Sequence, residues 1–489
     1  MAWQSALKYT KVELELMTDI DMILMIEGAI RGGISNVFKR YSKANNKYLP
    51  TFDASKESNF IVFLDCVNLY GFALSQLLPI SGFKWVDVEI LNRIDWKNID
   101  EYSSEGYILE IDLHYPKEMH DYHDNFPLAP QKIKIKNDAL SEFQHSIIDT
   151  LKKNGHTRVP TEKLMTTLMD KKKYVIHSSV LKFYLNNGLI LEKVHKGISF
   201  IQKAWLRPYI ELNSNLRKES KNEFEKNFFK LMCNAVFGKS IEQKRSHRDI
   251  KIALTQNKAK NLIKQPSFKK FSIIDEDKVI IEMNKTKVFL DRPIHCGFTC
   301  LELSKLHMYT LYYSLFKKIY EDKCSLLMSD TDSLLMDIKT DDIFKDFELY
   351  SDLLDLSEYP SNHISNLKND SNKKVLGVLK DEMKGELIEE FVGVKSKMYS
   401  IKTLNDNKLV GKGIQRQILK KCFNHEIYKS CLFDNKLSYA KMRSIRSKNH
   451  DIHSLEQNRL AISPLDDKRY YVDPINSFSF GNYKINNQT

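Results

Sequence analysis

The period of the apolar positions changes several times along this chain, and each change marks an expected element. From Trp3 to roughly Tyr48, Val12-Glu-Leu-Glu-Leu-Met17 runs on into Ile20-Asp-Met-Ile-Leu-Met-Ile26 at helical spacing, which predicts helices interrupted at Arg31-Gly32-Gly33. A glycine pair beside an arginine suits a backbone that approaches a phosphate, and equally an ordinary helix-ending turn. Asn59-Phe-Ile-Val-Phe-Leu64 is a continuous apolar run, expected as a central strand ended by Asp65. Cys66 to Gly71 then turns the chain, and Phe72 to Leu78 predicts a helix stopped by Pro79. From Val86 to about Asp170 the texture loosens into a strand at Tyr107–Leu113, a polar loop at Asp121–Pro130 and a helix at Leu140–Lys152, expected as an insertion. Leu164 to Asn186 mixes apolar and lysine residues at helical spacing.

A stronger helical signal covers Asn222 to Phe237, with Gly238 as its expected C-cap. At 100° per residue, Phe224, Phe228, Leu231 and Ala235 make one apolar stripe expected to face the core. Lys226, Lys230, Asn234 and Phe237 line the opposite side, a combination of cations, an amide and a flat ring that suits a triphosphate and a base. A solvated basic face would also show these lysines. Ile241 to Leu290 predicts a second insertion: a strand at Ile250–Leu254, a helix at Gln256–Lys264 and hairpin strands at Phe271–Ile274 and Val279–Ile281. Gly297 to Lys318 is expected as a long helix. Thr340 to Asn369 is expected as a polar surface excursion and Val375 to Ser400 as strand and helix. The remainder is expected to be basic and helical before Pro464.

Between these elements, Leu326-Leu327 and Leu334-Leu335-Met336 frame Met328-Ser-Asp-Thr-Asp-Ser333, which reads as two buried strands joined by a tight polar turn. The turn sets the Asp330 and Asp332 carboxylates together, where they repel unless a cation compensates them. Mg²⁺ takes oxygen ligands of this kind and leaves room for substrate phosphates, although a solvated Asx turn has the same sequence. An EF-hand is excluded, because Leu335 stands where its glycine is needed.

Composition narrows the classes. With 42% hydrophobic and 11% aromatic residues among 489, the chain is expected to fold into two to four domains. Its net charge of +12 suits a polyanion or an anionic membrane surface. No apolar run approaches a membrane-spanning length of about 18 residues, so no membrane partner is expected. Charged residues through Met1–Glu15 do not suit a signal peptide. Seven scattered cysteines point to reduced thiols and an intracellular setting, with Cys296 and Cys300 expected as core thiols instead of zinc ligands.

Four short patterns occur in order: Asp65-x-x-Asn68-Leu69-Tyr70, Lys230-x-x-x-Asn234-x-x-Phe237-Gly238, Asp330-Thr331-Asp332-Ser333 and Lys397-x-Tyr399. Together they resemble motifs A, B, C and K-x-Y of family B DNA polymerases, in the protein-primed branch of viruses, linear plasmids and mobile elements. The resemblance runs from about Trp3 to Tyr483, and the two insertions fall between motifs A and B and between B and C. It implies an α+β right-hand fold with an antiparallel palm sheet, helical fingers and a small thumb. The expected order is a helical N-terminal segment (1–60), palm (61–85), first insertion (86–170), fingers (171–240), second insertion (241–290), palm (291–400) and thumb with C-terminal segment (401–489).

The same resemblance implies roles. Two Mg²⁺ ions, with Mn²⁺ as substitute, would be held by Asp65, Asp332, Asp330 and the Cys66 carbonyl. Asn68 and Leu69 would offer backbone N–H groups to the triphosphate, and Tyr70 would be the steric gate against a ribose 2′ hydroxyl. Lys230, with Lys226, would bind phosphates; Asn234 and Phe237 would bracket base and sugar. Gly238, Thr331, Lys397, Tyr399 and the Arg31-Gly32-Gly33 segment would contact DNA. The implied partners are primer-template DNA, dNTPs and a terminal protein primer, with the chain a monomer. Three departures stand out: Phe237 and Met328 occupy positions where the family prefers tyrosine or another aromatic, and Ile30 opens the linker motif in place of tyrosine. Roughly 60 residues precede Asp65, too few for the family's proofreading domain, so no exonuclease site is expected in this chain. The rival expectation is a catalytically inactive nucleic-acid-binding remnant of such a polymerase.

Overall fold

The computed structural model describes residues 1–448 and 451–485. At its centre lies a ten-stranded sheet: β1 (Ser35–Val37), β2 (Tyr41–Lys43), β3 (Asn59–Cys66), β4 (Cys324–Asp330), β5 (Ser333–Lys339), β6 (Leu354–Asp355), β7 (Leu379–Asp381), β8 (Ile388–Lys395), β9 (Met398–Thr403) and β10 (Asn407–Gly411). The order is β1–β4–β5–β3–β8–β9–β10; β2 joins β8, β7 joins the end of β3, and only β6 and β7 pair in parallel. β3 forms because Phe60 to Leu64 supplies aromatic and branched side chains to both faces, and all five are buried. Leu326, Leu334, Met336 and Ile338 complete the principal core with Tyr309, Tyr312 and Phe316.

Four helices matter for the site: α1 (Leu69–Leu74), α2 (Arg207–Glu219), α3 (Glu223–Ser240) and α4 (Ile294–Tyr309). The Asn222 side chain starts α3 by accepting the Glu225 N–H at 2.9 Å. α4 continues through a π-helical turn, Thr310–Phe316. A second, four-stranded sheet is built from Leu78–Val86, Ile190–Lys203, Glu105–His114 and Lys171–His177 in that order, so strands from both sides of residue 170 share one sheet. Residues 249–283 form a small three-stranded unit with its own core of Ala253, Ala259, Ile281 and Met283. The C-terminal segment is tied back by the wholly buried Arg469, which donates to Asp124 at 2.6 Å.

Several expectations are corrected here. Residues 12–19 are not helical; Asp19 caps a helix that starts at Ile20, and β1 and β2 occupy the stretch after Gly33. α1 ends at Leu74, and Pro79 lies in the strand Leu78–Val86, an edge strand where the missing N–H is tolerated. The stretch 164–186 supplies the strand Lys171–His177 before its helix. Gly238 lies inside α3, which is capped at Ile241. The α3 stripe is reversed: Phe224 and Leu231 are 79% and 62% exposed, while Cys233, Val236 and Ser240 are buried against α1 and α4. A helical moment fixes which residues share a face, not which face meets the core. Phe344, Phe347 and Tyr359 anchor the supposed surface excursion in the core. After the helices Arg416–Cys422 and His425–Phe433, a long antiparallel ribbon, Ser438–Lys448 with Asp451–Ile462, replaces the expected helix.

Arg31 is another correction, because it is buried. Its guanidinium lies 3.8 Å from the Tyr174 ring centre, donates to the Val175 carbonyl and sits 3.6 Å from Glu302, which Lys305 approaches at 3.2 Å. One carboxylate therefore serves two buried cations. Glu302→Gln is expected to lower stability by about 3–5 kcal/mol, since it strands both charges without water. Equilibrium urea unfolding checks this; a change below about 1 kcal/mol would mean the cluster is not a sealed ion network.

Candidate active site

β3, β5 and the turn before β5 bring the acidic residues together by register. Ser333 lies opposite Asp65, and the Cys66 N–H donates to the Asp332 carbonyl at 2.6 Å, so the ends carrying Asp65 and Asp332 are hydrogen-bonded neighbours. Both carboxyls are half-buried, and the Asp332 charge makes Asp65 costlier to ionise. Burial first, then Asp332 and Glu382, pushes Asp65 from 3.8 up to about 8, against the pull of Lys380 and Lys230. Burial also raises Asp332, helped by Asp330 and opposed by Lys397 and Lys230. The Lys230 charge on α3 thus reaches both carboxyls, as the weakest of the influences named.

Asp330 takes a different position. Its carboxylate accepts from Lys397 Nζ at 2.6 Å, so both residues neutralise each other beside the centre. Among the described residues no group of three His, Cys, Asp or Glu side chains forms a ready ligand cluster. Two buried, mutually repelling carboxylates nevertheless fit a hard divalent cation, which would complete its shell with water and substrate oxygens.

The turn itself is strained. Thr331 has φ 70°, a left-handed conformation unusual for a β-branched residue. It is held because its N–H donates to the Ile34 carbonyl at 2.6 Å and its side chain packs on the bare Cα of Gly33. A Cβ at Gly33 would overlap Thr331 Cγ2, so the Gly32-Gly33 segment supports the acidic turn from behind, while Gly32 has open space around it.

α1 begins where Asn68 adopts φ 48°, leaving Leu69 and Tyr70 in the first turn, where N–H groups lack intrahelical partners. The Asn68 side chain lies directly over Gly71, where any Cβ would overlap it. The Tyr70 and Phe237 rings stack at 4.4 Å with 16° between planes. Burial pushes the Tyr70 hydroxyl up to about 12. Asn234 is half-buried and its Oδ1 has no partner. Lys226 is paired with Glu223 at 2.8 Å, Lys230 is exposed, and Gly238 is exposed near the end of the helix. Tyr399 is buried against Phe63 and Phe391, close enough to Asp330, Glu382 and Asp65 for them to raise its hydroxyl further.

Sequence reading missed β7. Lys380 stands opposite Asp65 in register, ion-paired to Glu358 at 2.6 Å, and Glu382 follows, paired with Lys408 at 3.0 Å. A three-residue strand leaves no periodic signature. It also missed the cationic group around Lys374, whose ammonium is lowered by burial and by Arg217, Lys226 and Lys373.

Asp65 gives a pH prediction. An unfolded chain releases this proton near 3.8, whereas the folded protein holds it to about 8. The folded state therefore binds more protons across that window, and without a divalent cation stability falls as pH rises from about 4 to 8. Asp65→Asn is expected to stabilise the protein in EDTA at pH 8 by a few kcal/mol, at about 1.4 per unit, seen as a higher Tm, with little change at pH 4. Equal shifts at both pH values would contradict it.

No helix among the described residues is long and apolar enough to cross a membrane. No protein-family model and no curated protein matches the chain. Solved structures do. Phi29 DNA polymerase complexed with primer-template DNA and incoming nucleotide substrates is 14% identical, with a TM-score of 0.52, covering 94% of this chain and 67% of that one. The orthorhombic crystal form of the same polymerase gives 0.54 at 14% identity, over 94% and 68%. Its post-translocation binary complex with primer-template DNA gives 0.52 at 13%, over 94% and 67%. The chain has the α+β right-hand fold of a DNA polymerase.

Proposed function

We propose that the chain is a DNA-directed DNA polymerase that adds dNTPs to a primer hydroxyl under template direction. The observation that carries this reading is the meeting of Asp65 and Asp332 on hydrogen-bonded strand ends, within the field of Lys230. Asp65, Asp332 and the Cys66 carbonyl would hold two Mg²⁺ or Mn²⁺ ions, with Asp330 joining only after release from Lys397. Such ions, when bound, activate the primer hydroxyl and offset the charge of the departing pyrophosphate.

The chain's own residues do the positioning. Lys230 and Lys226 bind the triphosphate, aided by N–H groups of Asn68 and Leu69 at the start of α1. Asn234 and the Tyr70–Phe237 stack form the floor for sugar and base, where Tyr70 closes the space a 2′ hydroxyl would need. Lys397, Tyr399, Thr331 and Gly238 line the approach of primer and template. Gly33 acts from behind by fixing the turn against Thr331. The helical pair α2–α3 serves as fingers, the segment from 401 as thumb, and 241–290 as one of two insertions. That pair of insertions supports a protein-primed branch, with a terminal protein offering the first hydroxyl to a monomeric enzyme.

Extension of a labelled DNA primer tests the reading, run in parallel with a candidate terminal protein. Template-dependent extension with Mg²⁺ and none in EDTA is expected. Primer-template binding with no extension under either metal would favour an inactive remnant.

A further inference from the structure

A cleft of about 1030 Å³ is lined by none of Asp65, Asp330 and Asp332. One wall is the helix Ser178–Asn186, another the π-helical turn Thr310–Phe316 with its flanks, and a third comes from α1 and the start of α2. π-Helical turns widen the backbone locally and recur at binding sites. The volume exceeds what one small ligand needs.

Its lining combines two chemistries. Phe72, Tyr122 and Phe183 offer ring faces, with Tyr122 42% exposed. Lys182, Arg207 and Lys318 offer cations, against Glu101 as the one carboxylate among the described lining residues, and Glu101 is 3.6 Å from Lys182. Gln76 and Asn187 add amides able to donate and accept. A neighbouring cleft of about 370 Å³ shares Phe72, Gln76 and Arg207 and adds Lys218, Lys373 and Lys374 against a second carboxylate, Glu211. Together they make a groove in which flat rings alternate with excess positive charge. An apolar ligand would leave the cations unpaired, and a bare anion would leave the rings unused. A base joined to a phosphate uses both.

We propose that this groove is a second nucleotide-binding site, taking base and phosphate of a nucleotide unit outside the carboxylate centre. The unit comes either as a free nucleotide or as part of a single strand. The inference stands on the groove alone and does not need the chain to polymerise DNA.

Equilibrium dialysis of the full chain in EDTA with labelled dATP, and separately with 5′-phosphorylated pentathymidylate, tests it. Saturable binding of either probe is expected, weakened at least tenfold in Lys182→Glu/Lys318→Glu and in Tyr122→Ala. Preference for dATP identifies a free nucleotide, and preference for pentathymidylate a strand segment. No saturable binding of either probe, or binding that the groove variants leave intact, overturns the proposal.

Discussion

Asp332→Asn is expected to cut dNTP incorporation by about 10³-fold or more, ~4 kcal/mol of transition-state stabilisation, with primer-template affinity nearly unchanged. The amide preserves volume, and the backbone carbonyl that accepts the Cys66 N–H at 2.6 Å is untouched, so the strand ends stay joined. What disappears is one of two negative charges that a divalent cation needs in this pocket. Asp330→Asn makes the contrasting case. It removes the partner of Lys397, 2.6 Å away, without removing a charge from the central pair. Its expected loss is nearer tenfold, seen mainly in primer affinity. Equal losses in the two variants would mean that Asp330 and Asp332 share one role and that the ion pair with Lys397 is incidental.

Tyr70→Val is expected to lower discrimination between deoxy- and ribonucleotides by about 10²-fold, ~2.7 kcal/mol. The ring is held flat by Phe237 at 4.4 Å and by burial, so its edge is a fixed wall. Valine removes the wall but keeps an apolar side chain. Phe237→Ala is expected to shift discrimination in the same direction, more weakly, because it leaves the tyrosine in place but unsupported. The ratio of kcat/KM for dCTP and CTP reads both. An unchanged ratio in Tyr70→Val would remove Tyr70 from sugar selection.

Much of the centre was legible because its pieces are local. The apolar run Phe60 to Leu64 and the frame around Asp330-Thr-Asp332 specify strands directly, and the second insertion's strands and helix appear close to where their patterns place them. What sequence could not carry was orientation and pairing. α3 was found, but its exposed Phe224 and Leu231 show that a helix with apolar residues on more than one side does not declare its buried face. Lys397 suits a DNA contact by its motif, yet its ion pair with Asp330 depends on two hairpins 67 residues apart. Arg31 next to two glycines looked like a phosphate loop; the Glu302 carboxylate that buries it lies 271 positions further on (302 − 31). The ribbon strands Ser438–Lys448 and Asp451–Ile462 read as helix because their exposed basic and apolar residues lack a clean period of two.

The most direct measurement of the central claim is anomalous diffraction from crystals soaked with Mn²⁺ and a dNTP. Two peaks about 4 Å apart, both within ligand distance of Asp65 and Asp332 and facing Lys230, are the expected result. Ordered nucleotide with no manganese between those carboxylates would contradict it.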